Sequence, residues 1–523
     1  MVISDAQFFA LTFFRLIIMA SGMGALRFSA DETHSIDLVK VELINQQLTS
    51  DILSFAPPTM QGAAYDLSKS WIQLELEVLT AAGNPIVPGD NDRILSSEAL
   101  GDVFFSEVTG EYGGKQIKDE SNGMGHIGSF YRKTLTAPAG FGDSGIIRYG
   151  APLSGATLQG ADPANSRVAN HFVPAPGYDE GFILSSCGEG AGYTAANAQG
   201  YRMLVGSSGP NDTRTTASAG HMARSLLICD RAVASRRFLT LKCRPENSLF
   251  GIKSLLPANV QLKIDCTRNP FPAQLCQHSV DGVNAGPLQY NIQRCVMWLT
   301  TVVPVASAKD RLEMPLRMPT IRHRIFSRSM ANQAGQLQET FQSVFSGTKP
   351  DHLLICALSE AALTGGSTKL STFASGRYAS VTTDNDTLGV GSVNEDAPYA
   401  TITRLSVNWG GERYPHNDFT SSDLMQEGLP WLFSAYSELA LKMSGGKGPC
   451  MGYQTFKSYP YFCVNFKKEA DTTMSSMDIN LTIDRRRMDG TAPGTGIIRM
   501  VAIALYRSYI DVEPSIESVT TGW

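Results

Sequence analysis

Apolar and polar residues alternate with a period of two along much of this chain, the pattern of strands that bury one face and expose the other. From Trp71 to Val78 the sequence reads W-I-Q-L-E-L-E-V, which puts Ile72, Leu74, Leu76 and Val78 on one side. Val260, Leu262 and Ile264 alternate with Gln261, Lys263 and Asp265. The same rhythm places Leu405, Val407 and Trp409 together, then Phe462, Val464 and Phe466, then Ile479, Leu481 and Ile483, and finally Val501, Ile503 and Leu505. The run from Leu353 to Leu358 is apolar throughout, as expected of a strand covered on both faces. Helical spacing is clear only once. Leu432, Ala435, Tyr436, Leu439, Ala440 and Met443 share a face between about 430 and 443, Pro430 suits the first turn, and Gly445 and Gly446 end it. Strands do not alternate with long helices, which argues against a parallel α/β sheet. Many short strands joined by turn-rich loops predict an all-β chain of jelly-roll sandwiches with long inter-strand loops and a few short helices.

A chain of 523 residues exceeds the roughly 250–300 residues at which single cores stop growing, so two domains are expected. Residues 269–289, with Pro270, Pro272, Gly282, Gly286 and Pro287, are the best break. The expected organisation is therefore an arm at 1–34, a first sandwich at 35–280 and a second at 281–523. The segment from about 137 to 219 is dense in Gly, Ala, Ser, Pro and Asn and reads as a long surface excursion of the first sandwich. Phe8 to Met19 is apolar apart from Thr12 and Arg15, but it is too short to cross a hydrocarbon core of roughly 30 Å and has no basic region before it. A helical arm that packs on a neighbouring subunit is the preferred reading, with a membrane-surface helix as the alternative.

Charged residues make up 18% of the chain where about 25% is usual, which fits broad subunit interfaces that deplete charge at their centres. The net charge of -5 and the absence of a basic run argue against direct, sequence-specific nucleic-acid binding; the densest cluster, Arg485, Arg486 and Arg487, reads as a strand end. Nine scattered cysteines form no C-x-x-C pair and read as small buried hydrophobes in a reducing compartment. Gly142-Asp143-Ser144-Gly145 resembles a protease nucleophile motif, but Ile146 and Ile147 follow it, and neither His34 nor His126 has the setting of a base. Gly445-Gly446-Lys447-Gly448 lacks the first Gly and the hydroxyl residue of a phosphate loop, and Gly188, Gly190 and Gly192 fail the dinucleotide spacing at Tyr193. The histidines show no metal spacing, and only Arg322-His323-Arg324 is a notable setting. The sequons at Asn211, Asn385 and Asn480 lack a secretory context. The expectation is a non-enzyme with no catalytic, cofactor-binding or metal residues.

The order of segments resembles the double jelly-roll major capsid proteins of Polinton-like viruses, adintoviruses and virophages, relatives of the adenovirus hexon. The likeness lies in Tyr65-Asp66-Leu67 leading into Trp71–Val78, in Phe104–Val108 through Gly114–Ile117, and in Phe130–Leu135, where that family has a short aromatic helix. Arg237–Leu241 to Val260–Ile264 looks like the close of the first jelly roll, and Tyr290–Val303 like the opening of the second. Pro350–Ile355, Leu405–Gly411, Met477–Ile483 and Ala502–Tyr506 resemble the strands that follow. The apolar start and the Gly/Ala-rich excursion depart from the family. The resemblance implies two consecutive eight-stranded jelly rolls and a homotrimer forming a pseudo-hexameric capsomer of an icosahedral shell around a DNA genome. It also implies minor capsid or penton partners, a location in the virion after synthesis inside the host cell, and no catalytic residues. The competing expectation is a receptor- or carbohydrate-binding β-sandwich, for which Tyr193, Tyr201 and Tyr378 in loops are the support.

Overall fold

A computed structural model describes residues 25–80 apart from 45, and then 104–136, 236–269, 289–330, 336–360, 401–414, 429–446, 474–484 and 497–514, with shorter pieces between them. The apolar arm at 8–19, Ser144, the glycines at 188–192, Tyr193, Tyr201, Tyr378, Asn211, Asn385 and Arg485–Arg487 lie outside the described residues.

The first half contains β1 (Thr33–Glu42), β2 (Ile52–Phe55), β3 (Ala64–Leu79), β4 (Phe105–Tyr112), β5 (Lys115–Ile117), α1 (Gly125–Thr136), β6 (Arg236–Cys243), β7 (Leu262–Arg268) and β8 (Gln289–Pro304). The second contains β9 (Leu316–Ser329), β10 (Gln336–Gly347), β11 (His352–Ser359), β12 (Thr401–Trp409), β13 (Glu412–Tyr414), α2 (Leu429–Met443), β14 (Phe462–Asn465), β15 (Ser475–Asp484) and β16 (Ile498–Glu513), closed by β17 (Ser518–Gly522) on β16. Among the described residues two principal sheets form each half, antiparallel throughout, and the first half carries three smaller ones besides. In the first the principal sheets run β1-β8-β3-β6 and β2-β7-β4-β5; in the second, β9-β16-β11-β14 and β10-β15-β12-β13. Each strand from β9 to β16 occupies the place of the strand eight before it. That order, in which the last strand returns beside the first, is the jelly-roll connection expected from the sequence. The duplication reaches the connections as well. Gly113-Gly114 and Gly410-Gly411 close equivalent hairpins with positive φ at both residues, the geometry that a two-residue hairpin turn requires. One helix follows each of those hairpins, so α1 and α2 are equivalent too.

The expected core faces are the observed ones. Ile72, Leu74, Leu76, Leu262, Ile264, Val407, Ile479 and Leu481 are all buried. Two readings are corrected. The strand at 290–303 does not open the second sandwich, because β8 pairs with β1 and β3 of the first along most of its length. The Pro/Gly-rich stretch before it holds the strands Cys276–Val280 and Val283–Pro287, which pair with each other while the first also pairs with Arg93–Ser96, and the chain passes from one sheet to the next at the 3-10 turn Ala306–Leu312. The alternation in β16 also proved incomplete: Met500 to Leu505 are buried on both faces. One face shares its side with Phe326, which meets Phe341 of the opposite sheet. The other shares its side with Cys356, whose thiol meets Tyr131 of α1. The excursion at 137–219 contains short paired strands, Ala156–Gln159 with His171–Pro174 and Phe182–Leu184 with Thr215–Ala217.

Candidate functional site at the joint between the two sandwiches

The strongest polar constellation lies where the halves meet. β9 is an edge strand of its sheet, and an open edge offers unpaired backbone groups to any passing strand. Here residues just after β5 cover it. Glu120 N–H donates to the His323 carbonyl at 3.0 Å, Ile325 N–H donates to the Glu120 carbonyl at 2.8 Å, and the two chains run parallel at this bridge. Asn122 Nδ2 donates to the Ile325 carbonyl and the Arg322 guanidinium to the Lys118 carbonyl. Arg324 pairs with Glu120 at 2.7 Å. The second sandwich's sheet is thus continued by a piece of the first.

Beneath this seam lies a buried cluster of Asp119, Arg132 and His323, none more than 6% exposed. Asp119 accepts the His323 backbone N–H and the Ser248 backbone N–H, each at 2.8 Å, and stands 3.9 Å from Arg132 Nη1. Arg132 Nη1 meets His323 Nδ1 at 3.2 Å, and Nη2 reaches the Asn247 carbonyl. Thr320 Oγ1 donates to the Ser248 carbonyl, Ser129 Oγ accepts the Glu246 N–H, and Tyr436 of α2 donates to the Thr134 carbonyl of α1. Helix α1 therefore serves both halves. Gly128 permits this approach, since a Cβ there would stand 2.9 Å from both His323 Nε2 and Ile325 Cδ1.

His323 is neutral in this setting. Burial pushes its pKa down to about 4, with Asp119 opposing and Arg132 assisting the fall. Nδ1 stands 3.5 Å from Asp119, which would count as an ion pair if the ring were charged, but Arg132 already donates to that nitrogen. The proton therefore sits on Nε2. His352 flanks the same Leu505 from β11, bonds to Asn465, and is lowered to about 4 by burial and by Lys442. Both histidines resist protonation in the fold and accept it near pH 6.5 when unfolded. Their stabilising effect is complete above about pH 6.5 and is lost as the pH falls toward 4. For His323 a shift of this size corresponds to about 3 kcal/mol. Melting temperatures measured from pH 7 to pH 4 are expected to fall, with a shallower slope in His323→Gln. An unchanged slope in that variant would contradict the assignment.

Of the other residues weighed in the sequence, Gly445 and Gly446 end α2 as expected, with Gly446 N–H donating to the Leu441 carbonyl. His34 is exposed on β1 and His126 is buried in α1. Asn480 lies in β15, bonded to Thr340 and Ser406. Five described cysteines are buried and form no disulfide, and burial pushes Cys266, Cys295, Cys356 and Cys463 up, away from reactivity. Among the described residues no group of three His, Cys, Asp or Glu is placed to hold a metal, and no helix is long and apolar enough to cross a membrane. Sequence reasoning noticed His323 but missed Asp119 and Arg132. The available signal was an arginine inside the aromatic stretch Phe130-Tyr131-Arg132.

No protein-family model and no curated protein sequence matches the chain. Among solved structures, a chain in the cryo-EM structure of the Sputnik virophage is similar, with 13% identity and a TM-score of 0.51, over 95% of this chain and 90% of that one. This chain has the double jelly-roll fold of viral capsid proteins. Weaker likenesses are to the major capsid protein of mavirus, at 9% identity and a TM-score of 0.47 over 96% and 92% of the two chains. The faustovirus major capsid protein follows at 9% and 0.43 over 92% and 91%. In this double jelly roll the joint just described fixes one sandwich against its duplicate.

Proposed function

We propose that this chain is a major capsid protein, a structural non-enzyme that trimerises into pseudo-hexameric capsomers of an icosahedral DNA-virus shell. The observation that carries the reading is the strand-for-strand duplication clamped by a buried joint. Three such chains supply six equivalent sandwiches, so a three-fold assembly acquires the near-hexagonal outline that tiles a curved surface. A loose joint would forfeit that outline; the buried cluster and the covered β9 edge make it rigid. In this reading the first jelly roll spans β1 to β8 and the second β9 to β16, and the chain is a component of the virion that meets minor capsid proteins at shell vertices.

Subunit contacts need surface to bury. The edge strand β1 leaves Ile36 58% and Leu38 56% exposed on one face, and Ile44 and Ile52 lie about half exposed nearby. Such a strip suits burial against another copy better than contact with water. Light scattering of the purified chain in dithiothreitol is expected to give three times 56.6 kDa, and negative-stain images hexagonal plates. A monomer at micromolar concentration would count against the proposal. Binding to a glycan array by such a monomer would favour the receptor-binding reading instead.

A further inference from the structure

The two helices are equivalent in the duplication but not in their burial. Most of α1 is enclosed, with His126 to Arg132, Thr134 and Leu135 all buried. It lies on the outer face of the β9-β16-β11 sheet, where Gly128 faces His323 and Ile325, Arg132 meets His323 and Tyr131 meets Cys356. Register puts Ile325, Ile503 and Leu354 side by side on that face, and next to them His323, Leu505 and His352. Leu354, Ile503 and Leu505 are 0% exposed beneath it. Helix α2 instead keeps an exposed stripe at Trp431, Ser434, Glu438 and Leu441, spaced by three and four residues, with Leu441 50% exposed. The first sandwich's equivalent sheet, β1-β8-β3, is open on its outer face. Register places Ile36 beside Val302, Leu38 beside Thr300, and Lys40 beside Trp298 and then Trp71, while Val41, Met297 and Ile72 point into the core. The two indole rings stack at 6.0 Å, Lys242 Nζ stands 5.4 Å from the Trp71 ring, and both tryptophans are only partly buried.

Building on the capsid reading, we propose that α2 of one copy docks on the outer face of the β1-β8-β3 sheet of the next copy, repeating between chains the joint that α1 makes within one. The duplication carries this. Each sandwich supplies one helix and one sheet face, and the chain matches one such pair internally, α1 with the second sandwich's sheet. The pair left over is the α2 stripe and the first sandwich's face. Both stay exposed in the single chain, so their meeting requires a second copy. The contact joins two different surfaces head to tail, and contacts of that kind close into rings when the rotation allows. Internal and intermolecular joints then alternate, and three chains acquire six sandwich-to-sandwich contacts of one type. The side chains suit each other. Leu441 and Trp431 bring apolar bulk to Ile36, Leu38 and the indole pair, the aromatic and aliphatic composition of interface centres. The stripe's one acid, Glu438, meets a face that carries Lys40 and Lys242.

The test places the photocrosslinker p-benzoylphenylalanine in place of Leu441 in the full-length protein and maps the linked peptides by mass spectrometry. The expected result is links between copies that end in Thr33–Glu42 or Gln289–Pro304. The reciprocal placement at Leu38 is expected to link to Leu429–Met443 of another copy. Leu38→Arg, at a position 56% exposed in the single chain, is expected to abolish the link from position 441 and to lower the mass in light scattering to the 56.6 kDa of one chain, with its circular dichroism unchanged. Links from position 441 to α2 of another copy, or to any other surface, would overturn the proposal, as would a Leu38→Arg protein that stays trimeric. In those cases the parent is still a trimer and the capsid reading stands. A monomeric parent that yields no links between copies would sink both.

Discussion

Leu481→Asp is expected to yield a chain that does not fold or assemble, while Asn480→Asp yields a soluble protein that melts close to the parent. The two residues are neighbours in β15 and point to opposite faces, since side chains in a strand alternate with a period of two. Leu481 is 1% exposed and pairs with Glu339 and Leu405 on the adjoining strands. Aspartate there forfeits roughly 1.5–3 kcal/mol of apolar burial. It also strands a carboxylate in the core without a cation, which costs at least several kcal/mol more. A domain is stable by only about 5–15 kcal/mol, so the sum reaches most or all of it. Asn480 lies on the other face, where its Oδ1 accepts from Thr340 Oγ1 at 2.7 Å and its Nδ2 reaches Ser406 Oγ at a long 3.4 Å. Aspartate keeps the first bond and can accept from the Ser406 hydroxyl in place of the second, so the change stays within about 0.5 kcal/mol. Thermal melting and solubility separate the two outcomes. Equal melting temperatures would show that the register of β15 is wrong.

That contrast was readable in the sequence because β15 has one wet face and one dry face. Wherever this holds, as in β3, β7 and β12, the alternation marks the core side directly. It misleads where both faces are covered. In β16 the alternating Val501, Ile503 and Leu505 are flanked by Ala502 and Ala504, which are just as buried, because a sheet covers one side and α1 the other. Chain order misled at β8. A stretch rich in Pro and Gly precedes it and looks like a domain boundary in the sequence, but in a jelly roll the last strand returns to pair with the first. Register between β8 and β1 joins residues more than 250 positions apart, and no local pattern reports such a pairing. The joint was the least legible part for the same reason. Asp119 and Arg132 are near neighbours in the sequence but His323 lies 191 positions beyond Arg132, and taken alone the three resemble ordinary surface residues of a loop, a helix and a strand.

The joint therefore calls for the sharpest test of how the two sandwiches act as one body. Asp119→Ala is expected to destabilise far more than Arg132→Met, although the two side chains form one ion pair. Removing the carboxylate leaves the Arg132 guanidinium buried at 2% exposure without its ion-pair partner and with only Glu246 as a neighbouring negative charge, a loss of up to about 3–5 kcal/mol. It also leaves the Ser248 and His323 backbone N–H groups without their acceptor, at roughly 1–3 kcal/mol each. Removing the cation instead leaves a carboxylate still held by two short N–H bonds, which partly compensate its charge, and methionine refills the volume of the arginine stem. The double variant is expected to be more stable than Asp119→Ala alone, because the stranded cation has gone; the single effects then fail to add, as they should for residues in contact. Since these bonds join the halves, Asp119→Ala should also split the calorimetric trace into two transitions, one for each jelly roll, where the parent shows one. A double variant whose loss equals the sum of the singles would show that the pair is uncoupled. A single unshifted transition in Asp119→Ala would show that the sandwiches are held together elsewhere, and the rigid tile would then have to rest on the contact between α1 and α2.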